Sequence, residues 1–254
     1  MRLDKLLSEC GVLTRTESSR AVRRGSVTVN GKPAQSPAMQ VDPAKDNVFV
    51  CGERVMYRKF VYYLLNKPDG YVSATEDGRE KTVLELLPAD AARRGVFPCG
   101  RLDKHTTGLM FLTDDGAMGH DLLSPRHHVE KIYRFTVKFP LTAEEVVGLE
   151  AGAVLEDGYV TKPSRIVLDA DRKGGTIALI EGKYHQIKRM MESVHNQITS
   201  LERISFGPLT LDGAGLSRGE WRELTSDEVA ALEALRGSRR ARTEEHDREE
   251  KQEE

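Results

Sequence analysis

Apolar residues at Leu3, Leu6 and Leu7 fall at i, i+3 and i+4, one face of a helix predicted over Arg2 to Cys10 and stopped by Gly11. A second short helix is predicted from Thr16 to Arg24, ended by Gly25. Val27-Thr28-Val29 then runs into Asn30-Gly31, a pair suited to the two positive-φ positions of a hairpin turn, and alternation resumes over Asn47 to Val50. Cys51 to Lys59 is irregular and polar and reads as a linker. The apolar run Phe60 to Leu65 opens a second domain and ends at Asn66-Lys67-Pro68, where the proline removes a backbone donor. Asp77-Gly78 marks a turn, and Thr82 to Leu87 reads as a short helix closed by Pro88. Two apolar runs, Val96 to Cys99 and Leu109 to Leu112, bracket a polar loop.

Lys131 to Phe139 alternates most clearly, with Tyr133, Phe135, Val137 and Phe139 on one face. Arg165 to Asp169, Thr176 to Ile180, Leu201 to Leu211 and Glu220 to Leu224 supply further strands. Thr142 with Glu145, and Thr225 with Glu228, are capping boxes that start helices running to about Glu150 and Arg236. A helix through about Val194 should follow Glu181, with Gly182 permitting the sharp change from strand. Together these predict an α+β chain: a helix pair plus hairpin with its linker over 1–59, a mixed, largely antiparallel sheet domain over 60–236, and a tail over 237–254. The tail is almost wholly charged and is expected to be disordered.

Composition changes this picture in three ways. No apolar stretch approaches a membrane span, and Met1-Arg2-Leu3-Asp4-Lys5 is unlike a signal peptide, so a cytoplasmic protein is expected. Cys10, Cys51 and Cys99 lack metal-ligand spacing and read as free thiols. The net charge of −2 hides a polarised chain, for residues 1–60 carry 11 Lys and Arg against 6 Asp and Glu. Arg15, Arg20, Arg23 and Arg24 gather on or beside the second helix, with Lys32 past the hairpin turn.

The polar loop Gly100-Arg101-Leu102-Asp103, with Thr106 and Thr107 behind it, is where a scaffold would present a reactive carboxylate. A structural turn, in which Asp103 bonds those hydroxyls, is the plainer reading of the loop alone. Asp114-Asp115-Gly116 reads as a helix-capping turn rather than a metal site, and His127-His128, in a loop, as phosphate-binding or structural. No phosphate-binding Gly loop, zinc set or dinucleotide fingerprint is present, so an enzyme built on this chain is expected to work without a cofactor or metal.

The order helix, basic helix, "GSVTVNGKP" hairpin resembles the S4 RNA-binding domain. On that resemblance Arg15, Arg20, Arg23, Arg24 and Lys32 would meet RNA phosphates. "GRLDKHTTGLMFLTDDG", "SPRHHVEKIYRF" and "EGKYHQIKRMM" follow in order, and with the S4-like segment they resemble RsuA-type ribosomal small-subunit pseudouridine synthases. The resemblance implies a pseudouridine synthase catalytic domain that isomerises an rRNA uridine, here uridine 516 of 16S rRNA, without a cofactor. It implies Asp103 as the catalytic carboxylate, acting at C1′ or C2′ of the ribose, Tyr133 as the aromatic that stacks on the uracil, and Lys188 as the cation beside Asp103. Arg101, Thr107, His185, Gln186 and Arg189 would contact substrate. The partner would be rRNA or an assembling ribosomal subunit, met by a monomer. A sister synthase acting on 23S rRNA and a non-catalytic assembly protein remain open from sequence alone.

Overall fold

The computed structural model describes residues 1–124 and 129–235. The expected loop at His127-His128 and the charged tail therefore lie outside the described residues.

The N-terminal segment builds α1 (Leu3–Glu9), α2 (Arg15–Arg23) and four short strands, β1 (Val27–Val29), β2 (Lys32–Pro33), β3 (Val48–Val50) and β4 (Glu53–Arg54). Thr14 and Glu17 cap α2 reciprocally, Thr14 N donating to the Glu17 carboxylate at 2.8 Å and Glu17 N to Thr14 Oγ1 at 3.2 Å. The strands form an antiparallel sheet in the order β2-β1-β3-β4. Leu3, Leu6 and Leu7 pack with Val22, Val27 and Val48 into one buried cluster, as the helical spacing predicts. The expected linker departs from expectation, because it opens with a turn at Cys51-Gly52 followed by β4. Cys51 and Gly52 both adopt positive φ, a two-residue turn that a Cys in the first position disguises.

The rest of the chain forms a nine-stranded mixed sheet with the path β13-β5-β7-β11-β8-β10-β9, β6 and β12 attaching to β7 and β11. Its strands are β5 (Tyr62–Lys67), β6 (Phe97–Pro98), β7 (Thr107–Thr113), β8 (Lys131–Val137), β9 (Arg165–Leu168), β10 (Gly174–Leu179), β11 (Ile198–Phe206), β12 (Leu209–Thr210) and β13 (Trp221–Glu223). Around it lie α3 (Ala89–Arg94), α4 (Gly116–Leu123), α5 (Ala143–Gly152), α6 (Gln186–Ser193), α7 (Leu211–Ala214) and a helix over residues 226–235. The expected strand from Leu201 to Leu211 resolves into a β11–β12 hairpin and the start of α7. The strand expected to reach Phe139 ends at Val137, leaving Phe139 exposed, since Pro140 cannot extend the ladder. Thr82 to Leu87 contains a 3-10 turn, Val83–Leu86.

All pairings in this sheet are antiparallel except β7 with β11. That junction is tight: a Cβ on Gly108, whose φ is +99°, would stand 2.3 Å from the Arg203 carbonyl oxygen. One core cluster lies around β8, β10, α5 and α6, and another joins β5 and β7 to the 3-10 turn and α3. Tyr133 packs against both, which places it at the seam between them.

The helix α3 was not foreseen and joins the two sheets. Arg93 donates to the Val12 carbonyl at 3.1 Å, while Arg94 donates to the Arg58 carbonyl and pairs with the buried Asp114 carboxylate at 2.8 Å. Asp115 caps α4 by accepting from Ala117 N and Met118 N, as the turn reading of Asp114-Asp115-Gly116 expects.

Candidate active site

The seam opens as a cleft of about 600 Å³ lined by the β6–β7 loop, the β8 and β11 faces and the start of α6. Asp103 sits in that loop, half-buried, and Lys188 reaches it from α6 with Nζ 2.6 Å from Oδ2. His185 Nε2 lies 3.4 Å from Oδ1, so both carboxylate oxygens face a nitrogen. Residues 85 positions apart in sequence are thus brought together, and Tyr133 lines the same cleft.

The loop is fixed by two side chains that bond its backbone, Ser73 and Lys67, rather than by Asp103 bonding the hydroxyls of Thr106 or Thr107. Ser73 Oγ donates to the Leu102 carbonyl at 2.7 Å and accepts from Leu102 N at 2.9 Å. Lys67, wholly buried, donates to the carbonyls of Pro68, Lys104 and Thr106 at 3.2, 3.1 and 2.8 Å. Three acceptors match the three N–H groups of an ammonium. Burial nonetheless pushes Lys67 down to about 8, with Asp69 and Asp103 opposing the shift.

The approach of α6 depends on His185, which caps the helix in the left-handed region at φ +49°. Gly182, expected to supply this reversal, has ordinary φ; the irregular position is the histidine. Gln186 Nε2 donates to Glu181 and its Oε1 accepts from Lys183 N, closing the segment before α6. Tyr184 is 76% exposed and stacks on His185, ring centres 3.9 Å apart.

Of the other expected contact residues, Arg101 is exposed and lines the cleft. Thr107 and Arg189 depart from expectation. Thr107 Oγ1 points to the Leu201 carbonyl at 3.4 Å, because Thr107 begins β7 against β11, and its neighbour Thr106 lines the cleft instead. Arg189 pairs with Asp157 at 2.7 Å, one residue round α6 from Lys188 and so on another side of the helix. Arg15, Arg20, Arg23, Arg24 and Lys32 are all exposed, and none joins an ion pair among the described residues.

The sequence reading passed over Lys67, Ser73, Lys131 and Arg203, all in or beneath the cleft wall. For Arg203 a signal existed: in the alternation Leu201, Arg203, Ser205, a cation occupies an inward position of a strand. Among the described residues no helix is long and apolar enough to cross a membrane.

The sheet junction presents a carboxylate, a cation and an aromatic ring in one cleft, and the N-terminal segment carries an exposed basic helix; the class of protein, an RNA-acting isomerase of the pseudouridine synthase type, follows from the chain's relatives. The chain belongs to the RNA pseudouridylate synthase family, whose sequence pattern matches residues 61–193, and an S4 domain pattern matches residues 1–48. It is 45% identical over 235 residues to an uncharacterized RNA pseudouridine synthase, YtzG, of Bacillus subtilis, covering 91% of this chain and 98% of that one. It is 39% identical to the ribosomal small subunit pseudouridine synthase A of Yersinia pestis (92% and 99% covered) and 37% to that of Escherichia coli K12 (91% and 100%). A crystal structure of a pseudouridylate synthase superposes with a TM-score of 0.64 at 33% identity, over 91% of this chain and 99% of that chain. The enzyme is therefore an isomerase that converts uridine in RNA to pseudouridine, and the mixed α+β fold expected from sequence is that of this family.

Proposed function

We propose that Asp103 is the carboxylate that acts at the ribose while the N1–C1′ bond breaks and the base reattaches through C5. The observation that carries this is the 2.6 Å contact between Lys188 Nζ and Asp103 Oδ2 in a cleft shared with Tyr133. Lys188 holds a positive charge beside Oδ2 and so favours the ionised carboxylate, while Oδ1 faces His185 at the looser 3.4 Å. Tyr133 stacks on the extruded uracil, an interaction of about 1–3 kcal/mol that offsets the few kcal/mol needed to unstack a base. Arg101, exposed on the rim, and His185, beside the carboxylate, contact the nucleotide; Gln186 holds the segment that carries His185. The Thr107 and Arg189 side chains are engaged elsewhere, with the Leu201 carbonyl and Asp157, and take no part in holding the nucleotide.

The substrate we propose is rRNA of the small subunit, at uridine 516 of 16S rRNA, free or in an assembling particle. Supporting it are the small-subunit relatives matched over nearly their full lengths. Residues 1–59 form the module that grips the RNA backbone through Arg15, Arg20, Arg23, Arg24 and Lys32, and residues 60–236 carry the chemistry. The test is to incubate 16S and 23S rRNA lacking modifications with the purified enzyme and map pseudouridines. A single new pseudouridine at 16S position 516 is expected; modification confined to 23S rRNA would overturn the assignment.

A further inference from the structure

Arg203 is 1% exposed, yet its Nη2 has no protein partner among the described residues. Its Nε donates to the Leu109 carbonyl at 2.7 Å, and no ion pair among the described residues engages it. A buried guanidinium without a carboxylate is costly, and an orphaned N–H adds to that cost. Lys131, half-buried beside it, donates to the Val129 carbonyl at 2.9 Å and joins no ion pair among the described residues. Burial, with Arg203 nearby, pushes Lys131 down to about 8. Both cations face the Phe206 ring, at 5.3 and 5.8 Å, and both line the cleft. Their placement relative to the base site is fixed by register. Arg203 lies directly across the β11–β8 ladder from Tyr133, and Lys131 is two residues from Tyr133 on the same face.

Phosphates of an RNA stay at the exposed rim, where Arg101 lies; a side chain this deep meets only the base that enters the cleft. When the N1–C1′ bond breaks, its electron pair leaves with the base and spreads onto the O2 and O4 carbonyls. As C5 bonds to C1′, the proton lost from C5 is balanced by one gained at N1, so no co-reactant is needed. Building on the Asp103 and Tyr133 reading above, we infer that Arg203 and Lys131 form a cationic floor that binds a uracil carbonyl and stabilises the detached, anionic base. Donors set in advance where charge develops act more strongly on the transition state than on the neutral substrate.

The experiment is single-turnover loss of the target nucleoside in an rRNA fragment carrying uridine or 5-fluorouridine, whose base leaves as a more stable anion. Arg203→Met should slow the uridine reaction by about 10²-fold, the typical cost of one preorganised donor. RNA affinity should change little, and the penalty with 5-fluorouridine should be smaller by several-fold. Lys131→Met should show the same contrast at reduced size, and it serves with Arg203→Lys if Arg203→Met does not fold. Equal penalties for the two bases, or a loss confined to RNA affinity or melting temperature, would overturn the inference. Asp103→Asn on the same substrates separates the two levels: turnover by that variant defeats the reading of Asp103, whereas an inert Asp103→Asn with equal base penalties defeats only the cationic floor.

Discussion

Lys67 sits under Asp103, and its three carbonyl bonds tie the strand end at Pro68 to the loop at Lys104 and Thr106. Its lowered value has a definite sign for stability. Between about 8 and its ordinary 10.5 the unfolded chain binds more protons than the folded one, so this group's contribution rises with pH across that window and is constant below it. Urea unfolding of the wild type and Lys67→Met at pH 7.5, 9 and 10.5 should therefore show the wild type gaining on the variant, by at most about 3 kcal/mol. Parallel curves would mean that Lys67 does not titrate there. At Tyr133 the ring, not the hydroxyl, is the proposed working part. Tyr133→Phe should keep most of the pseudouridine rate and Tyr133→Ala should lose about 10-fold or more, as one base–aromatic stack implies. Equal rates for the two variants would count against stacking.

At the level of elements, the parallel contact of β7 with β11 brings Arg203 and the Asp103 loop into one cleft, and Gly108 permits it. Gly108→Ala combines a strained φ with a backbone overlap and should cost about 3 kcal/mol or more, lowering Tm by roughly 6–12 °C in a chain of this size. An unchanged Tm would show that the strands are spaced more widely. On α2, Arg20→Ala/Arg23→Ala/Arg24→Ala should leave Tm nearly unchanged, these side chains being exposed. It should reduce the slope of log affinity against log salt by about 2; an unaltered slope would clear α2 of phosphate contact. Elements with strong periodicity, such as α1 and β8, were legible in the sequence because one face of each is buried. The helix α3 was not, for Ala89 to Arg94 has no apolar repeat and is ordered by Arg93 and Arg94 reaching distant backbone and Asp114. Asp103, Tyr133 and Lys188 could be named through ordered motifs. Lys67 and Ser73 escaped because their partners are backbone groups far along the chain, and the reversal at His185 because a glycine stood nearby to take the blame.

Across the whole molecule, the four-stranded basic segment and the nine-stranded sheet meet at α3 and through the Arg58–Glu223 ion pair. The proposed division of labour follows from exposure: arginines with no ion pair among the described residues for the RNA backbone, and a half-buried carboxylate for one extruded base. The proposed chemistry depends on that carboxylate. Single-turnover conversion of uridine to pseudouridine in a 16S rRNA fragment, measured alongside RNA binding for the wild type and Asp103→Asn, tests it most directly. Asp103→Asn should bind the fragment within about 3-fold of the wild type and form no pseudouridine, a loss of the size expected when a reacting group is removed; pseudouridine formed by Asp103→Asn at a rate near that of the wild type would refute the role of Asp103.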